Sequence, residues 1–359
     1  VISRRGIELT VLAASFRAAK WELSAATVHS SASFARFGLK PSRQLGTSVA
    51  NRFVKGGAIM ITIQRILCPI DLTTDSDEAL RYAVALSSAY NAKLFVLYCK
   101  ETETNRNNNG HNTQSVETAP LFIASLAPHL GLNSLSELNW EGLVAENVDD
   151  IAKAIVREAA KHEVDLIVMR SRRRPRAAAL LGSTAETVSR TATCSVLVTH
   201  PQEREWVSFS TGEIDLNRIL VAHDFSADSE LALKYGVSLA QEYQAELHLL
   251  HVLGKDERDQ PEVAWAQPDS ESSYKSAALV LQAAVPKEAF LWCKVVNAVC
   301  CGKTYEEVLT YAKEHDIDLI CMGASGTRFI LGVLFGSNTD RVLRQAPCPV
   351  LVARQDKRQ

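Results

Sequence analysis

The chain repeats itself, and this constrains its fold more than any other feature. Displaced by 153 positions, Arg65-Ile-Leu-Cys-Pro-Ile-Asp-Leu-Thr-Thr-Asp-Ser-Asp-Glu-Ala-Leu-Arg-Tyr82 lies over Arg218-Ile-Leu-Val-Ala-His-Asp-Phe-Ser-Ala-Asp-Ser-Glu-Leu-Ala-Leu-Lys-Tyr235. The same shift carries Leu94-Phe-Val-Leu-Tyr98 onto Leu247-His-Leu-Leu-His251, and Asp165-Leu-Ile-Val-Met169 onto Asp318-Leu-Ile-Cys-Met322. Beyond that point the shift is 154: Gly182-Ser183 covers Gly336-Ser337, and Cys194-Ser-Val-Leu-Val198 covers Cys348-Pro-Val-Leu-Val352. The first copy is therefore one residue shorter between those landmarks. A repeat of this length is domain-sized, so the 359 residues resolve into two copies of one fold.

Each copy opens on a short apolar run, Ile61–Leu67 or Arg218–Ala222, followed by Asp and Ser. That is the pattern of a buried strand leading into a helix N-cap. A helical pattern follows, with Leu231, Leu233, Val237, Leu239 and Ala240 in the second copy. The spacing then predicts strands at Glu246–Val252, Asp318–Met322 and Pro349–Ala353, and a last helix from about Asn338 to Gln345. Glu101 to Thr118 and Gly254 to Ser273 are poor in apolar residues and read as loop. Strands apolar on both faces, alternating with helices, predict a parallel α/β sheet covered on both sides. The domains are expected at residues 60–200 and 218–356, with 201–217 as linker. Ligands of such sheets bind at the carboxyl ends of the strands, so the residues just after each strand carry the chemistry.

Residues 1–59 stand apart. They hold nine Lys/Arg against Glu8 and Glu22, a balance of +7, whereas the remainder balances to −9. This Ser- and Ala-rich segment fits an organellar targeting peptide, a disordered basic arm, or upstream sequence that is not normally translated. Met60 directly before the first strand favours the last. The net charge of −2 gives no argument for nucleic acid or an anionic membrane, and no run reaches the ~18 consecutive apolar residues of a membrane span. Eight cysteines without a C-x-x-C pair, mostly inside apolar runs, read as buried reduced thiols of a cytoplasmic protein.

In the second copy the strand ending at Met322 runs into Gly323-Ala-Ser-Gly326, and nine residues later Gly336-Ser337 opens a helix. Glycines admit an anion close to backbone N–H groups. A helix N-terminus adds partial positive charge there, and Ser337 is a candidate cap and phosphate donor. Asp224 is placed to accept from a ribose or base.

This G-x-x-G, nine residues, G-S pattern resembles the nucleotide signature of the universal stress protein family. The Asp224-Phe-Ser226 opening and the Ala346-Pro-Cys-Pro-Val-Leu-Val352 ending resemble it too. The resemblance covers about residues 60–355, in the family's tandem form. It implies two Rossmann-like (HUP-type) domains, each a five-stranded parallel sheet with helices on both faces. It also implies that ATP binds with its adenosine near Ala222, Asp224 and Val252. Met322, Gly323, Gly326, Gly336, Ser337, Asn338 and Thr339 would surround the ribose and phosphates, with Mg2+ an optional companion. Ala222 stands where many members have Pro. Arg328 is either a phosphate partner or a solvated loop charge.

The first copy keeps Asp71 and Gly182-Ser183-Thr184, but Arg170 and Arg173 replace the first two glycines. Large side chains there are expected to prevent ordinary ATP binding; the arginines either take another anion or are solvated. Gly302-Lys303-Thr304 mimics a P-loop end, yet Asn297 stands where its first glycine is needed. His248 and His251 point to opposite faces of a strand and read as structural.

The expected function is an ATP-responsive stress or regulatory module, without catalytic residues and with at most slow hydrolysis. The alternatives are a nucleotide-independent, chaperone-like interaction module and an adenylating enzyme of related fold, which would need a Ser-Gly-Gly-x-Asp-Ser type loop. Subunits of the universal stress protein family often pair through the last strand, and the resemblance thus implies that the two copies pair with each other in a pseudo-two-fold arrangement, covering edges otherwise exposed. A homodimer and an unidentified regulatory protein partner stay open.

Overall fold

The computed structural model describes residues 61–71, 74–101, 138–171, 182–200, 204–207, 214–254, 271–326 and 335–355. The basic segment, Arg173 and Arg328 lie outside them. The first copy runs β1 (Arg65–Ile70), α1 (Thr74–Tyr90), β2 (Lys93–Glu101), β3 (Trp140–Val148), α2 (Ile151–Lys161), β4 (Leu166–Arg170), α3 (Ser183–Thr191) and β5 (Ser195–Thr199). The second runs β6 (Arg218–Ala222), α4 (Ala227–Tyr243), β7 (Glu246–Leu253), α5 (Glu271–Ala284), a 3-10 turn (Lys287–Leu291), β8 (Val295–Cys301), α6 (Thr304–Glu314), β9 (Leu319–Gly323), α7 (Ser337–Gln345) and β10 (Val350–Ala353).

The strands form one sheet in the order β3-β2-β1-β4-β5-β10-β9-β6-β7-β8. Within each copy the five strands are parallel, a Rossmann-like arrangement. Among the described strands the copies meet at one antiparallel pair, β5 with β10, where Val198, Leu197 and Val196 face Val350, Leu351 and Val352. The expected pseudo-two-fold pairing is thus a continuous sheet in which each copy closes the other's edge.

Alternation along each strand divides the core in two. Ile66, Ile219 and Leu319 pack with α1, α4 and α5 on one face. Leu67, Leu220 and Ile320 pack with α2, α3, α6 and α7 on the other. Both faces are buried, which explains why the strands read as unbroken apolar runs.

Two carboxylates tie the lower ends of the sheet alike. The backbone N–H groups of Gln64 and Arg65 donate to Asp165 Oδ2 at 2.8 and 2.9 Å. Those of Asn217 and Arg218 donate to Asp318 Oδ2 at 2.9 Å each. This is where the first strand departs from expectation. It starts at Arg65 rather than Ile61, at the residues whose N–H groups Asp165 holds.

The segment expected as a linker is docked where it is described. Trp206 is buried, edge-on to Tyr82 at 4.6 Å, and its backbone N–H donates to the Tyr82 hydroxyl at 3.2 Å. Val207 and Ile214 form an antiparallel bridge, and Arg204 pairs with Asp316 at 2.5 Å. Among the described residues no helix is long and apolar enough to cross a membrane, and no group of three or more His, Cys, Asp or Glu is placed to hold a metal ion. All eight cysteines are unbridged, and burial pushes the Cys68 and Cys321 thiols up, which leaves them protonated.

Candidate functional site

The carboxyl ends of β9, β6 and β7 lie side by side and bring the expected residues together. Ala222 and Met322 are directly paired across β6 and β9. With Val252 they share the face covered by α6 and α7, and Ala222 and Val252 are only partly buried. Together they form an apolar shelf of the kind a flat base can cover.

Beside it, β6 runs into a tight turn. The Ser226 backbone N–H and hydroxyl donate to Asp224 Oδ1 at 3.1 and 2.5 Å. Ser226 in turn caps α4, its Oγ accepting from Ser229 N at 3.2 Å. The turn places Phe225 in the left-handed region at φ 64°, against the His223 and His251 rings at 5.0 and 4.7 Å. His251 Nδ1 meets the His223 carbonyl at 2.7 Å. Burial lowers the pKa of both histidines, which favours the neutral imidazole. His248 lies on the other face, its Nδ1 2.9 Å from the Tyr311 hydroxyl.

The glycines are required by close approach. A Cβ at Gly323 would lie 2.9 Å from both Asp228 Cβ and Ser229 N, so the start of α4 packs directly on this backbone. A Cβ at Gly326 would lie 2.7 Å from Asp224 Oδ2. Asp228 fixes the stretch between them: its Oδ2 accepts from Ser325 N at 3.1 Å and from Ser325 Oγ at 2.5 Å. Gly336 N–H returns to the Ala324 carbonyl at 2.8 Å, closing the loop onto its origin.

The helix cap differs from expectation. Gly336, not Ser337, is the N-cap of α7, with extended φ/ψ and no side-chain cap bond. Ser337 is the exposed first helical residue, Asn338 is half-buried, and Thr339 is buried with its hydroxyl donating to the Gly323 carbonyl at 2.9 Å. The Thr339 hydroxyl is thus turned inward, where it braces the loop. α2 and α4 are capped by Asp150 and Ser226 side chains, whereas α3 and α6, like α7, start without a side-chain cap bond. An α-helix start without a side-chain cap keeps its first N–H groups for another acceptor.

The first copy has the same framework and different chemistry. Arg170 stands in place of Gly323, and its guanidinium leaves on the α1 face to pair with Glu78, which replaces Leu231. Burial pushes the Glu78 carboxyl up to about 7 against the opposing pull of Arg170. Ser171 and His200 are buried together, with Oγ and Nδ1 2.7 Å apart. Gly182 caps α3 at φ 91°, unlike Gly336 at φ −72°. Arg170 is thus tied into the protein's own polar core. Nothing local in the sequence marks Glu78 as its partner across 92 positions.

The model of the universal stress protein family matches residues 62–200 and again 216–354. Universal stress protein YxiE of Bacillus subtilis is 32% identical over 148 residues, which cover 38% of this chain and 99% of that protein. Universal stress protein Slr1230 of Synechocystis is 26% identical over 226 residues, 62% of this chain and 67% of that protein. The crystal structure of a universal stress protein from Archaeoglobus fulgidus covers 84% of this chain and all of its own, at 19% identity and a TM-score of 0.55, a likeness of fold.

Proposed function

The chain belongs to the universal stress protein family, and from that premise we propose that its second copy is an adenine-nucleotide module, with ATP as the ligand the family resemblance implies. One observation carries this reading. Gly323, Gly326 and Gly336 converge on the mouth of the sheet beside Asp224, where the first turn of α7 has no side-chain cap. In this reading Ala222, Val252 and Met322 hold the adenosine against the sheet, and Asp224 faces the ribose or base. Gly323, Gly326, Gly336, Ser337 and Asn338 surround the phosphates, with Thr339 bracing them from behind. Mg2+ would accompany the phosphates through the Ser337 hydroxyl and solvent.

The role is regulatory and cytoplasmic. Nucleotide binding biases the conformation presented to a protein partner, and a homodimer is compatible with it. The proposed site offers no dedicated general base among the described residues, and Asn297, where a P-loop needs its first glycine, lies inside β8. Any ATP hydrolysis is accordingly slow. The first copy, with Arg170 committed to Glu78, serves as a structural and regulatory partner.

Calorimetry with ATP, ADP and AMP on the wild type and on Gly326→Arg tests the site. Wild-type binding that disappears in the variant is the expected result. Binding that survives the substitution unchanged overturns the assignment, and a wild type that binds none of the three overturns the nucleotide reading.

A further inference from the structure

We propose that Arg190, contributed by the first copy, is a positioning residue for the phosphate loop of the second; the inference rests on the nucleotide reading above. Arg190 lies in the last turn of α3 and reaches across the seam. Its Nη2 is 2.7 Å from Asp340 Oδ1, in the first turn of α7. Its guanidinium carbon stands 5.2 Å from the centre of the Phe335 ring, the residue just before Gly336. Arg190 therefore holds both ends of the turn from Phe335 to Asp340 that contains Gly336, Ser337 and Asn338. Asp340 N–H closes the same turn on the Gly336 carbonyl at 3.0 Å.

The seam is built on the repeat. The shift of 154 exchanges Arg190 with Arg344 and Glu186 with Asp340. The mirrored contact is present: Arg344 Nη2 is 2.8 Å from Glu186 Oε2, and each arginine also pairs with the acid of its own helix. The ion pairs are therefore shared by both copies and say nothing about function. The aromatic contact breaks the symmetry. At the position equivalent to Phe335 the first copy has Leu181, which offers no ring face. A guanidinium over a ring is attractive because the ring quadrupole is negative at its face. The added grip therefore falls on the copy that kept its glycines.

The physical need for it follows from the cap. Gly336 gives α7 no side-chain lock, which frees the first N–H groups for an anion and leaves the turn to be held by contacts other than a cap. Thr339 and Ala324 brace it from within its own copy. Arg190 braces it from the first copy, by a charge-assisted hydrogen bond and a ring contact. Nucleotide binding at α7 and the packing of the first copy's α3 are coupled through this residue.

The test uses the full chain and the variants R190A, R190K and F335L. Calorimetry compares ATP with adenosine, and amide hydrogen exchange is followed at residues 336–340. R190A and F335L are expected to weaken ATP about three- to tenfold, to leave adenosine unchanged, and to speed exchange in the turn, with R190K recovering part of the loss. A lower melting temperature with unchanged ATP affinity means a purely structural seam and overturns the proposal, as does an equal loss for ATP and adenosine. If the wild type binds no nucleotide the functional reading falls separately; exchange then decides, and unchanged protection of the turn in R190A overturns the positioning role.

Discussion

Asp224 faces Gly326 across the mouth of the second copy's sheet, its Oδ2 2.7 Å from where a Cβ at residue 326 would sit. The carboxylate cannot simply retreat, because its other oxygen accepts from Ser226 N and Oγ. Gly326→Ala is therefore expected to disturb the turn that caps α4. The cost should be about 1 kcal/mol of stability, the usual scale of a lost cap, together with weaker ATP binding. Urea unfolding and calorimetry on the same variant check both halves.

Asp165 and Asp318 each receive two backbone N–H groups at closely matched distances. Replacing either by Ala leaves donors unpaired at the base of the sheet. Each variant is expected to lose about 2–3 kcal/mol, the range for hydrogen bonds to charged groups. The part of each loss that comes from these N–H bonds should be similar, with D318A losing a little more because Asp318 also stands 3.6 Å from Arg204 Nη1. Denaturant midpoints for D165A and D318A decide it; a large loss in one alone would mean that the matched distances do not reflect matched energetics.

Restoring glycine at position 170 is not expected to restore a site. Arg170→Gly would leave the buried Glu78 with only the weaker pull of Arg81, and its carboxyl, already raised to about 7, would take up a proton, so the loss is expected at about 1–3 kcal/mol. The double change R170G/E78L reproduces the residues found at Gly323 and Leu231 and is expected to recover most of that loss. A double-mutant cycle in thermal unfolding measures the coupling.

His248 gives the fold a pH dependence. Burial lowers its pKa to about 4, with Glu246 opposing and His315, Lys294 and Arg218 adding to the shift; the Tyr311 hydroxyl bonds its ring. In the unfolded chain a histidine takes its proton near ~6.5. Between those values the unfolded state binds more protons, so stability is complete above the unfolded pKa and falls as pH drops toward about 4. The melting temperature of H248Q should fall less over this interval than that of the wild type. Equal slopes would mean that His248 titrates normally in the folded protein.

Much of this architecture was legible in the sequence because the cause is local. Strands buried on both faces write themselves as runs such as Ile-Leu-Val, and a domain-sized repeat announces two copies. The seam was implied by the resemblance to a family whose subunits often pair through the last strand, a pairing that covers edges otherwise exposed. The contacts that escaped are non-local or depend on backbone geometry. Gly336 rather than Ser337 caps α7, which depends on φ/ψ and not on residue type. Trp206 sits in a charged segment that reads as linker, yet it docks on Tyr82 across 124 positions. Arg170 reads as an obstruction in a loop, but strand alternation sends its side chain to the α1 face and Glu78. Arg190 carried no motif at all, since its importance lies in what stands across the seam.

The seam between β5 and β10 also fixes stoichiometry. Two separate chains pairing through such an edge would assemble according to concentration and could exchange partners. Here the pairing strands belong to one polypeptide, joined through a docked segment, so each meets the other at an effective concentration on the order of millimolar or above. Dilution cannot separate them, and two glycine-bearing copies cannot pair at the expense of the arginine-bearing one. Every molecule therefore carries one of each, and the difference between the halves is inherited as a fixed one-to-one ratio.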